Sequence, residues 1–376
     1  NGIYANINLH VGRMPSKFLK LPDPLTHYDK IIGIFTPELI QAQKQYARDL
    51  LDRVNKYRNK RYADDPAVAF VEITNEDSLF MWSATQDLKS FPEFYQQILR
   101  AKYAAWLKST YGSTERLQKA WSHGAVPLGQ NILAVDSFPR GDSTEKGWRL
   151  EQHGGCAAKV EKKTDGSLRL AIAKSDDTTW HLQFKQTPLS VKAGQYYSLV
   201  FRARADRPRP LSYGVGQDHE PYGNLGLGGT AKLSTDWKRF RMGFVANKDD
   251  DVVRLSFSLG GHNASVELSE ITLAPGGREG LLPDESIEKA NISIFGDGEV
   301  EARAIDRYRF LAEMEKAYFD DMSAFLKKEL GVKALITGTI VFGPCGLYGQ
   351  SGMDFIDSHS YWQHPRFPGK PWDSGN

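Results

Sequence analysis

Asn75 and Glu76 are the residues whose types and position best suit chemistry. They lie inside the stretch Val68-Ala-Phe-Val-Glu-Ile-Thr-Asn-Glu-Asp-Ser-Leu79. Its first half, through Thr74, is a β-branched and aromatic run launched by Asp64-Asp65-Pro66, the pattern of a buried parallel strand. The second half turns polar and sets Asn75 and Glu76 at the strand's C-terminal end. In a parallel barrel the loops converge over the strand mouths at that end. A carboxyl group held there, half out of water, can act as a proton donor near neutral pH. A plainer assignment also fits: Asn75 as a helix cap, with Glu76 and Asp77 in the positive first turn.

Other strand ends carry similar chemistry. Gly2 to Leu9 reads as a strand followed by His10 and Arg13, and Phe355 to Ser358 as one followed by His359, Tyr361 and Trp362. His359 also suits a strand cap or a partner for a core carboxylate, and Tyr361-Trp362 also suit plain packing. Taken together these groups describe a polar cleft with aromatic walls. Trp82 fits either a sugar platform or a lid on neighbouring helices. A metal site is not expected, because His359 and His364 are five residues apart off any helix and have no placed acidic partner. Cys156 and Cys345 are too far apart to suggest a disulfide framework or a zinc site. No cofactor is implied.

The elements that must position these residues alternate. Strand 3–9, helix 37–60 (Pro37 at its first position) and strand 67–74 make one βαβ unit, so a parallel sheet is expected. Amphipathic helices follow at about 92–110 and 113–123. Near Pro127 the helical period stops. Short alternating segments replace it: Leu168–Ile172, Trp180–Phe184, Tyr196–Arg204, Trp237–Val245, Val253–Leu259 and Val266–Leu273. Glycine-bearing turns punctuate them, the grammar of an antiparallel jelly-roll sandwich. Helical period returns over 301–329, followed by strand 332–337, a glycine-rich stretch over 343–352, and strand 355–358. The expected domains are 1–130, first part of an α/β barrel; 131–276, an inserted β-sandwich; and 277–376, the barrel continued.

At this point the motifs acquire a likeness. Val71-Glu-Ile-Thr-Asn-Glu76 resembles the fourth-strand signature of the retaining (β/α)8 glycoside hydrolases of the cellulase-like clan. Ile7-Asn-Leu-His10 resembles their third strand, and His359-Ser-Tyr361 the His-x-Tyr after their sixth. Tyr111 to Trp121 is similar to a helix-turn-helix of their fourth loop. Gly147-Trp148, Trp180, Gly194 to Tyr197 and Trp237 are similar to jelly-roll carbohydrate-binding modules. The resemblance implies a partial TIM-type barrel, strands three to six, with Glu76 as general acid/base and Asn75 on the sugar 2-hydroxyl. His10, Arg13, His359, Tyr361, Trp362 and Trp82 would line the cleft. The nucleophile is not in this chain and is expected beyond residue 376, with the rest of the barrel in the same polypeptide or another chain. The substrate implied is a polysaccharide or oligosaccharide of β-glucan or mannan type, met outside the cell or in the periplasm. The alternative is a non-catalytic carbohydrate-binding protein whose sandwich carries the function, with Trp148, Trp180, Tyr213, Tyr222 and Trp237 as candidate ligand aromatics.

Composition sets the outer bounds. The 376 residues are 40% hydrophobic and 25% charged with a formal net charge of +2. That is ordinary for a globular chain of two or more domains. The balance gives no electrostatic case for nucleic acid or an anionic membrane, and no apolar run approaches the roughly 20 residues of a membrane helix.

Overall fold

The computed structural model describes residues 2–10, 15–22, 29–82, 84–135, 137–138, 144–296 and 298–360. It divides into two compact units. One comprises residues 1–114, 285–295 and 305–376, the other 115–284 and 296–304.

The first unit is α/β. Asp65 starts its central strand, Val68–Glu72, by accepting the Ala67 amide on its side chain and the Val68 amide on its carbonyl (both 2.9 Å). Ala5–Asn8 and Leu335–Thr337 flank it, both parallel, with Asn8 and Thr337 opposite Glu72. Val71 and Ile336 are fully buried in this sheet. The expected fourth strand, 355–358, is reduced to a single parallel bridge between Ile340 and Asp357. Three strands and a bridge in chain order make a partial parallel sheet; the described residues do not close a barrel.

Helix Pro37–Leu51 buries Leu39, Gln43, Ala47 and Leu51 on one stripe. It ends nine residues before the expected 60. Asn55 captures the Tyr57 amide on its side chain (3.0 Å) and the Asn59 amide on its carbonyl (2.8 Å). A tight turn results, joining Val54–Asn55 to Lys60–Arg61 as a short hairpin, because asparagine's own hydrogen bonds compete with the helix. Val54 and Tyr57 continue the helical spacing of the apolar residues before them, yet both are exposed. Helices Glu93–Tyr111 and Glu301–Ala324 follow their apolar periods. Within the first unit Tyr103 and Trp106 pack on Phe310. The glycine-rich stretch forms a short helix, Gly343–Gly349.

The second unit is built round two five-stranded antiparallel sheets. In spatial order one holds Asn224–Leu233, Arg209–Gln217, Asp250–Ser258, Leu182–Val191 and Gly147–Gln152. The other holds Lys238–Val245, Tyr196–Ala205, Val266–Pro275, Leu168–Lys174 and Ala157–Lys162. Alternate residues point into the space between the sheets, as the two-residue period of a strand requires. Phe184, Phe201, Leu255, Phe257, Val266 and Leu268 are fully buried there. Trp180–Phe184 is not one strand: Thr179–His181 is a 3₁₀ turn and the strand starts at Leu182. Four further strands, at 147–152, 157–162, 209–217 and 224–233, lie outside the segments expected from alternation. The last two are rich in glycine, which weakens the strand signal.

Candidate functional site

On the sheet containing Asp250–Ser258, the outward-facing residues line a cleft of about 870 Å³. Its floor follows from strand alternation. Leu182, Phe184, Leu255 and Phe257 turn into the core, so Gln183, Lys185, Arg254, Ser256 and Ser258 turn outward. Register brings them into rows: Glu151 beside Gln183, Gln183 beside Ser258, and Lys185 beside Ser256.

The charges on this floor are paired. Lys185 Nζ lies 2.6 Å from Glu151 and 2.8 Å from Asp218, and Arg254 Nη1 lies 3.4 Å from Asp218. Burial works against the Asp218 carboxylate, yet the hydrogen bond and charge of Lys185 hold it below its ordinary range. Two basic and two acidic groups so joined leave a floor of hydrogen-bonding groups with little net charge.

Two aromatic rings line the same cleft. Trp180 is 51% exposed, raised by the 3₁₀ turn, and Tyr222 is 57% exposed. Tyr222 adopts φ +58°, and its amide donates to His219 O (2.7 Å). The Arg254 guanidinium lies 5.6 Å from its ring centre. The other candidate aromatics are placed elsewhere. Trp148 is buried, stacked on Phe184 at 4.6 Å, and Tyr213 packs edge-on against Phe201. Trp237 is covered by the guanidinium groups of Arg202 and Arg204. Those three serve packing, because their side chains meet the core or other residues rather than the cleft.

Residues 130–265 match the family model described as a carbohydrate binding domain, of CBM4/9 type. The sandwich is a carbohydrate-binding module. A solved CBM4 structure is 32% identical, covering 34% of this chain and 86% of that one, with a TM-score of 0.32. The module is also similar to the N-terminal cellulose-binding domain of Cellulomonas fimi β-1,4-glucanase C: 20% identity, 35% and 91% of the two chains, TM-score 0.30. A third similarity is to the CBM22-1 xylan-binding domain of Paenibacillus barcinonensis Xyn10C: 12% identity, 41% and 98% covered, TM-score 0.29. No curated protein matches the chain. The family match lies within the module, so the α/β unit rests on its own geometry.

There the strand ends form a second cluster. His359 Nδ1 is 3.1 Å from Glu76 Oε1, and its Nε2 is 3.1 Å from Asp357 Oδ2 and 4.0 Å from Glu72 Oε1. Glu72, within the strand run, carries no local signal in the sequence. It is buried, and Asn8 Nδ2 donates to its Oε2 at 2.7 Å while Oε1 has no hydrogen-bond partner among the described residues. Burial pushes its carboxyl above the ordinary range, and the Asn8 hydrogen bond opposes that shift. Donors of Glu72, Asp357 and His359 lie within 4.8 Å of one another, a spacing a metal ion could use; hydrogen-bond distances to Glu76 and Asp357 already engage both ring nitrogens. Glu76 itself adopts φ +55°, unusual for a side-chain-bearing residue.

The helix-cap assignment of Asn75 fails, since residues 75–79 form bends and a turn rather than a helix. Asn75 O accepts from Lys30 Nζ (2.9 Å). His10 is not brought to Glu76: its Nδ1 faces Asp77 Oδ2 at 3.2 Å, and the Thr74 hydroxyl donates to that same carboxylate. Trp82 is 77% exposed and meets Phe342 edge-on at 5.3 Å. Arg13, Tyr361, Trp362 and His364 lie outside the described residues.

Beneath this turn lies a support supplied by helix Glu301–Ala324. Glu315 accepts from Ser78 Oγ (2.9 Å) and from the Leu79 amide (2.6 Å). Burial raises its carboxyl to about 7, against the pull of those hydrogen bonds. Gln43 bridges the strand ends, donating to Ile73 O (2.8 Å) and accepting from Tyr318 (2.7 Å).

Proposed function

We propose that the module binds a neutral polysaccharide chain, of β-glucan or mannan type, in the cleft carrying Trp180 and Tyr222. The observation that carries this is the pairing of two exposed rings with a charge-compensated polar floor. Sugar rings present apolar C–H faces that stack on aromatic side chains, and hydroxyl edges that need donors and acceptors. Lys185 and Arg254 are already neutralised by Glu151 and Asp218, so an anionic sugar would find no unpaired cation on this floor. Affinity electrophoresis of the whole chain in gels containing β-glucan or mannan tests the assignment. Trp180→Ala and Tyr222→Ala should each weaken retardation by roughly tenfold, equivalent to about 1.4 kcal/mol. Unchanged retardation in both variants would move the sugar site elsewhere.

A second assignment is favoured by the contact between Glu76 and His359. In it the α/β unit belongs to a retaining glycoside hydrolase. Glu76 protonates the leaving oxygen and then takes a proton from water, while Asn75 holds the sugar 2-hydroxyl. His359, anchored by Asp357, orients the Glu76 carboxyl. Retention needs a second carboxylate roughly 5 Å from the first, and no described residue is assigned that part. In the complete enzyme, Glu76→Gln should abolish turnover and leave retardation by polysaccharide unchanged. Turnover equal to that of the unaltered enzyme would remove Glu76 from the role. A polymeric substrate implies an extracellular or periplasmic setting.

A further inference from the structure

At one end of the sugar cleft two loops interlock. The first is the turn His153-Gly-Gly-Cys156, between strands Gly147–Gln152 and Ala157–Lys162. The second runs from Asp176 to His181 and carries Trp180. The His153 amide donates to His181 O (2.8 Å) and the Cys156 amide to His153 O (2.9 Å). Gly154 permits the close approach: it sits at φ +60°, and a Cβ there would fall 2.5 Å from His181 Nδ1 and 2.6 Å from Asp176 Oδ2. Side-chain donors from three places in the chain meet beneath it. One atom each of Cys156, Asp176 and His181 lies within 4.8 Å of the others.

We propose that Cys156, Asp176 and His181 bind a divalent ion of the zinc class. A thiolate, a carboxylate and an imidazole are three ordinary zinc ligands, and the sulfur selects against calcium and magnesium. With the thiol deprotonated the set carries two negative charges, matching the ion. The Cys156 side chain is buried, which suits a metal ligand as much as a core residue. Asp176 Oδ1 takes the Thr178 amide at 3.0 Å and Oδ2 faces His181 Nδ1 at 2.6 Å, so Oδ2 is the oxygen turned toward the ring. Metal entry would displace the thiol proton to solvent, and coordination through Nδ1 would leave the imidazole proton on Nε2. The His181 ring lies 4.4 Å from that of Trp180, so the ion would brace a wall of the cleft.

Cobalt(II) titration of the reduced whole chain tests this, because a thiolate ligand gives cobalt a near-ultraviolet charge-transfer band. A saturating band, bleached by zinc(II), is expected for the unaltered protein. It should be lost in Cys156→Ser and retained in Cys345→Ser, which alters the other cysteine. Asp176→Asn, with an unchanged circular dichroism spectrum, should weaken cobalt binding at least tenfold, and this variant decides the matter should Cys156→Ser not fold. Absence of the band from the unaltered protein, its survival in Cys156→Ser, its loss in Cys345→Ser, or unweakened binding by Asp176→Asn would each overturn the site and leave a hydrogen-bonded cluster.

Discussion

Glu76 holds a left-handed backbone conformation that costs a non-glycine residue on the order of 1 kcal/mol. Strain of this kind persists where the surroundings over-determine it, and it gathers at functional sites. Here Lys30 fixes Asn75 O on one side, and Ser78 and Leu79 are tied to Glu315 on the other. Glu76→Gly should therefore be more stable to urea than Glu76→Ala by about 1 kcal/mol. Equal midpoints would show that the turn is not strained. The sequence shows Asn75 and Glu76 plainly, because a strand ending in two polar residues is a local pattern. It does not show Glu72, which sits inside that strand and gains its character only when Asn8 and His359 arrive from distant segments. The module's aromatics teach the same lesson. Composition marks five rings alike, and only the direction in which each strand or turn points them separates Trp180 and Tyr222 from Trp148, Tyr213 and Trp237.

Among the elements, helix Glu301–Ala324 does more than cover the sheet, since it delivers Glu315 beneath the turn that holds Glu76. The native carboxyl titrates near 7, whereas an unfolded glutamate titrates near 4.5. Between those values the folded state binds more protons than the unfolded one, so stability falls as pH rises through the window and levels off above it. Glu315→Gln stays neutral and keeps an acceptor, and should flatten that slope. Urea midpoints at about pH 5 and about pH 8, for both proteins, provide the check; parallel slopes would count against it. The apolar stripe of this helix is legible from its period. The glutamate within it reads only as a polar interruption, because periodicity says nothing about what lies opposite. Helix Pro37–Leu51 shows the reverse error, where apolar spacing continued past a turn set by Asn55.

For the molecule as a whole, the change from helical to two-residue period near Pro127, and back near 300, is visible because the two grammars differ over many residues. The fine edges are not, since they depend on pairings between distant strands. The family match ends at 265, yet strand Val266–Pro275 lies between Tyr196–Ala205 and Leu168–Lys174 at the centre of its sheet. Val266, Leu268, Leu273 and Ala274 on that strand are fully buried. Each large apolar side chain so buried is worth roughly 1.5–3 kcal/mol, against a typical total of about 5–15 kcal/mol. A fragment of residues 130–265 should therefore lack a cooperative thermal transition, while 115–304 should show one. Calorimetry on both fragments distinguishes them, and a sharp transition in the shorter would refute the argument.

The path of the chain has a consequence for survival among proteases. It passes between the two units four times, at 114/115, 284/285, 295/296 and 304/305. A tethered module on a single linker is released by one cut. Here a nick at any one of these crossings leaves the sugar-binding sandwich covalently joined to the rest, because its strands all lie in 115–284 and their covalent release takes cuts at both 114/115 and 284/285.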